Sequence, residues 1–127
     1  MTLKYFKLSE FDCSCKDNCK GEPMKEEFLK MLDQARETAG IPFKITSGIR
    51  CKIYNDDLIK RGYKASKNSS HLKGVAADIS CKDSSSRFKI INSLLLAGFT
   101  RVGISDTFIH VDLASHREKS QRVILTY

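Results

Sequence analysis

Two short segments place histidine and aspartate side chains where they could bind a metal ion. In the first, His71 lies in a polar stretch and Asp78 interrupts the apolar run of residues 75–79. A carboxylate is costly to bury unless it is paired or bound to a metal. In the second, His110 and Asp112 alternate with apolar residues and share one face of a predicted strand, because side chains alternate with a period of two. A catalytic zinc site uses three such protein ligands and keeps a fourth position for water.

Each of these residues also has an ordinary structural interpretation. His71 taken alone would be a surface histidine in a loop. His110 would be a core histidine hydrogen-bonded to Asp112, and Asp78 would bind backbone amides at a turn. All three interpretations must hold together for these residues to have only structural roles. Spacing alone does not decide between the metal site and these structural roles.

Apolar periodicity predicts the helices that must support this chemistry. The clearest helix covers residues 24–39, with apolar side chains at the i, i+3, i+4, i+7 spacing of one face and Gly40 as its cap. A second amphipathic helix is predicted over residues 85–97 and a weaker one over residues 53–61, while residues 8–11 suit a short helical turn.

Short apolar segments predict five strands. They cover residues 43–46, 75–79, 100–104, 108–113 and 123–125. The third and fourth are separated by a Ser-Asp-Thr turn that suits a hairpin. Because the last strands follow one another without helices between them, the pattern predicts an α+β fold with a small antiparallel sheet and helices packed on one side.

Length and composition indicate one folded domain over residues 1–127. Apolar residues make up 41% and charged residues 29% of the 127, as in ordinary folded proteins. We expect no membrane span, because no apolar run approaches the roughly 20 residues that a membrane helix needs. The start of the chain does not resemble a secretory signal peptide, so we expect synthesis in the cytoplasm and export by another route.

The chain carries a formal net charge of +7. Such an excess favours a polyanionic partner through long-range attraction, although it is also compatible with a solvated surface. The 22 Lys and Arg residues are scattered, and no nucleic-acid-binding motif accompanies them. We therefore expect no specific nucleic-acid partner.

Five cysteines exclude complete pairing within the chain. Three of them, Cys13, Cys15 and Cys19, lie in a turn-rich loop and lack the spacing of a standard zinc finger. A second structural metal ion or a disulfide becomes an alternative if Cys51 or Cys81 folds nearby. We favour the interpretation that they are loop thiols.

Several blocks of the sequence resemble one enzyme family. Residues 69–79, SSHLKGVAADI, resemble the Ser-x-His-x-x-Gly-x-Ala-x-Asp signature of the zinc D-alanyl-D-alanine carboxypeptidase family, which includes bacterial D,D-dipeptidases and phage L-alanyl-D-glutamate endolysins. ITSGIR (45–50) resembles its Ser-Gly-Tyr-Arg segment, AGFTRVGI (97–104) its strand before the hairpin, and FIHVD (108–112) its second histidine strand. The resemblance runs in order over most of the chain and implies a hedgehog/DD-peptidase-like fold.

The resemblance also implies roles for individual residues. His71, Asp78 and His110 match the ligands of one catalytic zinc ion. Arg50 matches the arginine that steadies the substrate carbonyl and the developing oxyanion, with a surface ion pair as the alternative. Ser70 matches a substrate-contacting serine, with a hydroxyl that merely caps a turn as the alternative.

The general base departs from the family pattern. Many relatives carry Glu, Asp or His two or three residues before the last ligand, where this chain has Phe108 and Thr107. Asp112, on the same strand face as His110, is our first choice for that role, and Asp106 in the turn is the second. Asp112 could instead orient an imidazole.

The expected function is hydrolysis of peptidoglycan peptide bonds that involve D-amino acids, in stem or cross-link peptides, by zinc-activated water. A single domain without a signal peptide fits a monomeric phage-type lysin that acts at the cell wall after release by another protein. The alternative is a non-catalytic zinc-containing binding module like the amino-terminal domain of hedgehog. The missing base position keeps that alternative open.

Overall fold

Three α-helices and five β-strands form the part of the chain that the computed structural model describes, residues 2–15, 21–63 and 65–127. In chain order they are α1 (Glu26–Ala39), β1 (Ile45–Ser47), α2 (Lys52–Lys60), β2 (Ala76–Ser80), α3 (Ser84–Leu96), β3 (Arg101–Ile104), β4 (Phe108–Asp112) and β5 (Val123–Thr126). Every predicted helix and strand is present, with ends that differ by at most two residues. Within these ranges no helix has the length and hydropathy needed to cross a bilayer.

The strands form one sheet in the order β1, β2, β4, β3, β5. Three of the four pairings are antiparallel, whereas β3 and β5 pair in parallel. The α+β class is therefore confirmed, and the sheet is mixed where a wholly antiparallel one was expected. The physical reason is that β4 already has β2 and β3 on its two edges, so β5 cannot pair with it. The chain reverses direction after β4 and adds β5 to the outer edge of β3, which itself runs antiparallel to β4, so β3 and β5 are parallel.

The two faces of the central strands differ in polarity. The side chains of Ala77, Ile79, Val102, Ile109 and Val111 are buried in the apolar core together with residues of α1 and α3. The opposite face carries polar residues. Strand register places Asp78 opposite His110, and Arg101 opposite Asp112. One face of the sheet thus anchors the helices, and the other brings charged and imidazole groups together.

A short 3-10 helix, Ser70–Lys73, leads from the polar loop into β2. The hydroxyl of Ser69 accepts a hydrogen bond from the backbone N–H of His71 at its start, and Gly74 ends it with a φ of 70°. A Cβ at position 74 would collide with the backbone carbonyl of Pro23. Glycine is required here for two reasons, the left-handed conformation and the close approach of another chain segment.

Gly74 lies between two of the candidate metal ligands, so its replacement tests how tightly this segment is packed. We expect Gly74→Ala to lower the free energy of unfolding by roughly 3 kcal/mol, because a steric collision adds to the left-handed strain. Gly40→Ala is the matched control, since Gly40 has a φ of 69° but open space around it, and it should cost about 1 kcal/mol. Urea denaturation measures both, and equal losses would contradict the packing argument.

Candidate metal centre

Three side chains from three different elements converge on one point. His71 comes from the 3-10 helix, Asp78 from β2 and His110 from β4. Each offers a ligand atom, and these atoms all lie within 4.8 Å of one another. Oδ1 of Asp78 is 2.8 Å from Nδ1 of His110 and 3.3 Å from Nε2 of His71. The structure brings together all three residues that the sequence predicted as ligands.

The ring of His71 is held by the loop that precedes α2. Its Nδ1 lies 2.7 Å from the carbonyl oxygen of Gly48, so Nδ1 carries the proton and donates it. Its Nε2 is then left with a lone pair that faces Asp78. Burial lowers the pKa of His71, because the charged imidazolium loses its hydration. The neutral form that results is the one that binds metals.

His110 is oriented by a second carboxylate. Its Nδ1 faces Asp78, and its Nε2 lies 2.8 Å from Oδ2 of Asp112. Oδ1 of Asp112 accepts hydrogen bonds from Nε of Arg101 at 2.9 Å and from the backbone N–H of Ala114 at 3.0 Å. A carboxylate that holds the outer nitrogen of a ligand histidine is a recurrent feature of zinc sites.

These contacts keep both carboxylates ionised. Burial by itself raises the pKa of Asp78, but the hydrogen bonds with His110 and His71 outweigh burial and hold it well below its usual range. Burial also raises the pKa of Asp112, and the hydrogen bond with His110 again outweighs it. The pKa of His110 is lowered by burial but raised on balance by Asp112 and Asp78. With Asp78 ionised and His71 neutral, the site offers a carboxylate oxygen and an imidazole lone pair to a cation.

The donor atoms fit a zinc ion. Zinc prefers imidazole nitrogen and carboxylate oxygen at about 2.0–2.2 Å, and two such atoms on a tetrahedral ion lie roughly 3.3 Å apart. The two measured separations at Asp78 Oδ1, 2.8 and 3.3 Å, are close to that value. His71 and His110 each have their outer nitrogen engaged, by Gly48 and Asp112, so the inner nitrogens both face the carboxylate.

Arg50 lies beside the candidate ligands and is buried, not on the surface. Its Nη2 donates to Oδ2 of Asp78 at 3.3 Å, its Nε donates to the hydroxyl of Ser47 at 3.0 Å, and its Nη1 is 3.4 Å from Oδ1 of Asn55. Asn55 is itself fixed by the carbonyl of Ser66 at 2.9 Å. Burial lowers the pKa of Arg50, yet a guanidinium stays protonated at neutral pH. A fixed positive charge therefore faces the site.

A pocket of about 630 Å³ opens over these groups, within the usual size range of ligand sites. Ser70 lines it, and its hydroxyl accepts a hydrogen bond from Nζ of Lys119 at 3.1 Å. Burial lowers the pKa of Lys119. No sequence pattern singles out this lysine in its charged tail. Asp106, the second choice for general base, is exposed in its turn and does not line the pocket.

Tyr127 is a further pocket residue that sequence reasoning missed. Its ring meets that of His110 edge-on, with centroids 6.4 Å apart, and stacks on Phe108 at 6.1 Å. A Cβ on Gly103 would overlap the tyrosine ring. Leu125 pairs with Gly103, and Tyr127 is two residues further along. The period of two therefore places Tyr127 on the same face as Leu125 once the pairing of β5 is known. The missing information was the neighbour of β5.

The cysteine predictions are only partly covered by the structure. Cys13 and Cys15 lie near Cys51 and form a second group of closely spaced ligand atoms. Cys81 lies elsewhere, buried in the core. Cys19 is outside the described residues.

The sequence profile of the Peptidase M15 family matches residues 4–112. The chain belongs to the peptidase M15 family. The match covers all three candidate ligands and confirms the family resemblance. No curated protein sequence matches this M15 peptidase.

Among solved structures, this M15 peptidase is similar to the L-Ala D-Glu endopeptidase ChiX of Serratia marcescens, with a TM-score of 0.62 and 16% identity. The match covers 75% of this chain and 84% of that one. At this identity the match establishes a shared fold. It confirms the expected fold class.

The contact between Asp112 and His110 predicts a measurable effect on metal binding. Asp112→Asn should weaken zinc binding by about 10–100-fold, because the amide cannot hold Nε2 of His110 as a carboxylate does. Asp106→Asn is the matched control and should bind zinc as the wild type does. Competition with a chromophoric chelator measures both affinities, once circular dichroism has shown that both variants are folded. Equal affinities would rule out the orienting role.

Proposed function

We propose that this M15 peptidase is a zinc enzyme that hydrolyses peptide bonds of peptidoglycan peptides. The observation that carries the proposal is the convergence of His71, Asp78 and His110 on the floor of a pocket, with their ligand atoms within 4.8 Å of one another. Family membership supports the peptidase reaction. The chemistry of the donor set supports zinc.

His71, Asp78 and His110 would hold the ion. Bound zinc supplies a Lewis acid that lowers the pKa of water to about 7 and polarises a carbonyl group. The protein contributes the orientation of the ligands, because Gly48 fixes the ring of His71 and Asp112 fixes that of His110. Such fixed outer contacts prevent the ligands from turning away when substrate enters.

Arg50 would stabilise the negative charge that develops on the substrate carbonyl oxygen. Its guanidinium is held by Ser47, Asn55 and Asp78, and it lines the pocket. A donor that is already oriented costs little reorganisation during the reaction. Ser70 lines the same pocket and would contact the substrate backbone.

We assign Asp112 the role of orienting His110, not that of the general base. Both of its oxygens are engaged, by His110, Arg101 and Ala114, and only 2% of the residue is exposed. A base must reach the proton of the attacking water directly or through one water molecule. The contacts of Asp112 thus support the second of the two roles that the sequence left open.

The charge of the pocket supports an acidic peptide as substrate. Arg50, Arg61, Arg101 and Lys119 line it and outnumber the carboxylates of Asp78 and Asp112, and peptidoglycan stem peptides carry free carboxylates. The similarity to ChiX, whose name describes an L-Ala D-Glu endopeptidase, supports endopeptidase cleavage over removal of a terminal D-alanine. Action at the cell wall as a phage-type lysin, a monomeric state and the lack of a nucleic-acid partner stay predictions.

Digestion of purified peptidoglycan tests the proposal. The wild-type protein should release new amino groups, lose this activity in the presence of a chelator and regain it when zinc is added, because the reaction depends on the bound ion. His71→Ala should reduce the rate by at least about 1,000-fold, since one metal ligand is lost. His116→Ala is the matched control, because His116 is an exposed histidine, and it should retain full activity.

Mass spectrometry of the released peptides would identify the cleaved bond. If the zinc-loaded wild type releases no amino groups from any peptidoglycan type, the enzyme proposal fails and the hedgehog-like binding module is favoured. Activity that survives both chelation and His71→Ala would instead exclude the assigned metal centre.

A further inference from the structure

A second cluster of metal-binding side chains lies outside the catalytic pocket. Cys13 and Cys15 follow the 3-10 helix Leu8–Phe11, and Cys51 lies just before α2. Their Sγ atoms are all within 4.8 Å of one another. The Sγ atoms of Cys13 and Cys51, 38 positions apart in the sequence, are separated by 3.9 Å. None of these cysteines has a role in the proposed peptidase reaction.

We propose that Cys13, Cys15 and Cys51 supply three of the four ligands of a second zinc ion with a structural role. Zinc binds thiolates at about 2.3 Å, so two sulfurs on one tetrahedral ion lie roughly 3.8 Å apart. The measured 3.9 Å agrees with that geometry, whereas a disulfide needs about 2.05 Å. Soft thiolate ligands select zinc over the hard cations magnesium and calcium.

Backbone contacts hold the two chain segments that carry these cysteines close together. The N–H of Ile49 donates to the carbonyl of Phe11 at 2.8 Å. A Cβ on Gly48 would lie 2.8 Å from the same carbonyl oxygen, so only glycine permits this approach. The Sγ of Cys51 accepts a hydrogen bond from the N–H of Tyr54 at 3.4 Å, a contact that favours the thiolate form.

The position of the cluster explains what a structural ion would do. Residues 48–51 contact the thiol cluster through Cys51 and the catalytic pocket through two other groups. The carbonyl of Gly48 holds His71, and the side chain of Arg50 contacts Asp78. An ion that ties this segment to the chain after Phe11 therefore fixes the backbone from which the pocket is oriented. Structural zinc sites stabilise folds in this way.

Metal analysis of the purified, reduced protein tests the proposal. The wild type should contain about two zinc ions per chain, and His71→Ala should retain about one. The variants Cys13→Ser and Cys51→Ser should also retain about one. Cys81→Ser is the matched control, because Cys81 lies in the core away from the cluster, and it should retain about two.

Cobalt substitution provides a readout that does not depend on peptidase activity. The cobalt-loaded wild type and the cobalt-loaded His71→Ala variant should both show thiolate-to-metal charge-transfer absorption in the near ultraviolet. Cys13→Ser and Cys51→Ser should lose it, and Cys81→Ser should keep it. Because the His71→Ala variant keeps this absorption, failure of the catalytic site and failure of the thiol site can be told apart.

Two results would overturn the proposal. The first is a wild type that binds no more than about one zinc ion and, loaded with cobalt, shows no thiolate absorption. The second is a disulfide between Cys13 and Cys51 in protein isolated without reductant or oxidant, detected by mass spectrometry as the loss of two hydrogens. Circular dichroism shows whether each variant is folded. The cobalt spectrum of the wild type tests the proposal even if a variant fails to fold.

Discussion

The buried carboxylate of Asp78 is the group on which the arrangement of this protein depends. It interrupts an apolar strand in the middle of the sheet, and only 7% of it is exposed. An isolated charge in that position would cost several kcal/mol. Contacts with His71, His110 and Arg50 compensate that cost. The need to neutralise one carboxylate therefore draws three separate chain segments to the same place.

Each of these partners is held in turn by a group further from the centre. Gly48 holds His71, Asp112 holds His110, and Asn55 holds Arg50. The apolar face of the same strands anchors the sheet to α1 and α3, so the polar face is supported by a rigid core. A catalytic metal site needs rigid support and oriented outer contacts, because small errors in the positions of its ligands lower the reaction rate. One face of the sheet thus stabilises the fold, and the other carries the candidate metal site.

The sequence predicted the elements well because hydrophobic periodicity is a local property. The parallel pairing of β5 with β3 was missed because it depends on which sheet edge remains free, and that is a property of the whole topology. The candidate ligands followed from a family resemblance, since His71 and His110 are 39 positions apart and no local pattern joins them. Lys119 could not be found without the path of the last loop, and Tyr127 could not be found without the pairing of β5 with β3.

The role of Asp112 shows a different limit of sequence reasoning. The period of two correctly placed it on the same face as His110. It could not indicate that Arg101 and Ala114 already occupy one of its oxygens. The sequence also left undetermined whether Cys51 lies near Cys13 and Cys15. Cys13 and Cys51 are 38 positions apart, and they meet where Gly48 packs against Phe11.

The most direct test of this account is a crystal structure of the zinc-loaded protein with anomalous diffraction at the zinc edge. We predict an anomalous peak bonded to Nε2 of His71, a carboxylate oxygen of Asp78 and Nδ1 of His110, with Nε2 of His110 still directed at Asp112. The account is contradicted if the zinc-loaded crystals show no ion among these three residues. It is also contradicted if the ring of His110 binds through Nε2, because Asp112 would then have no orienting role.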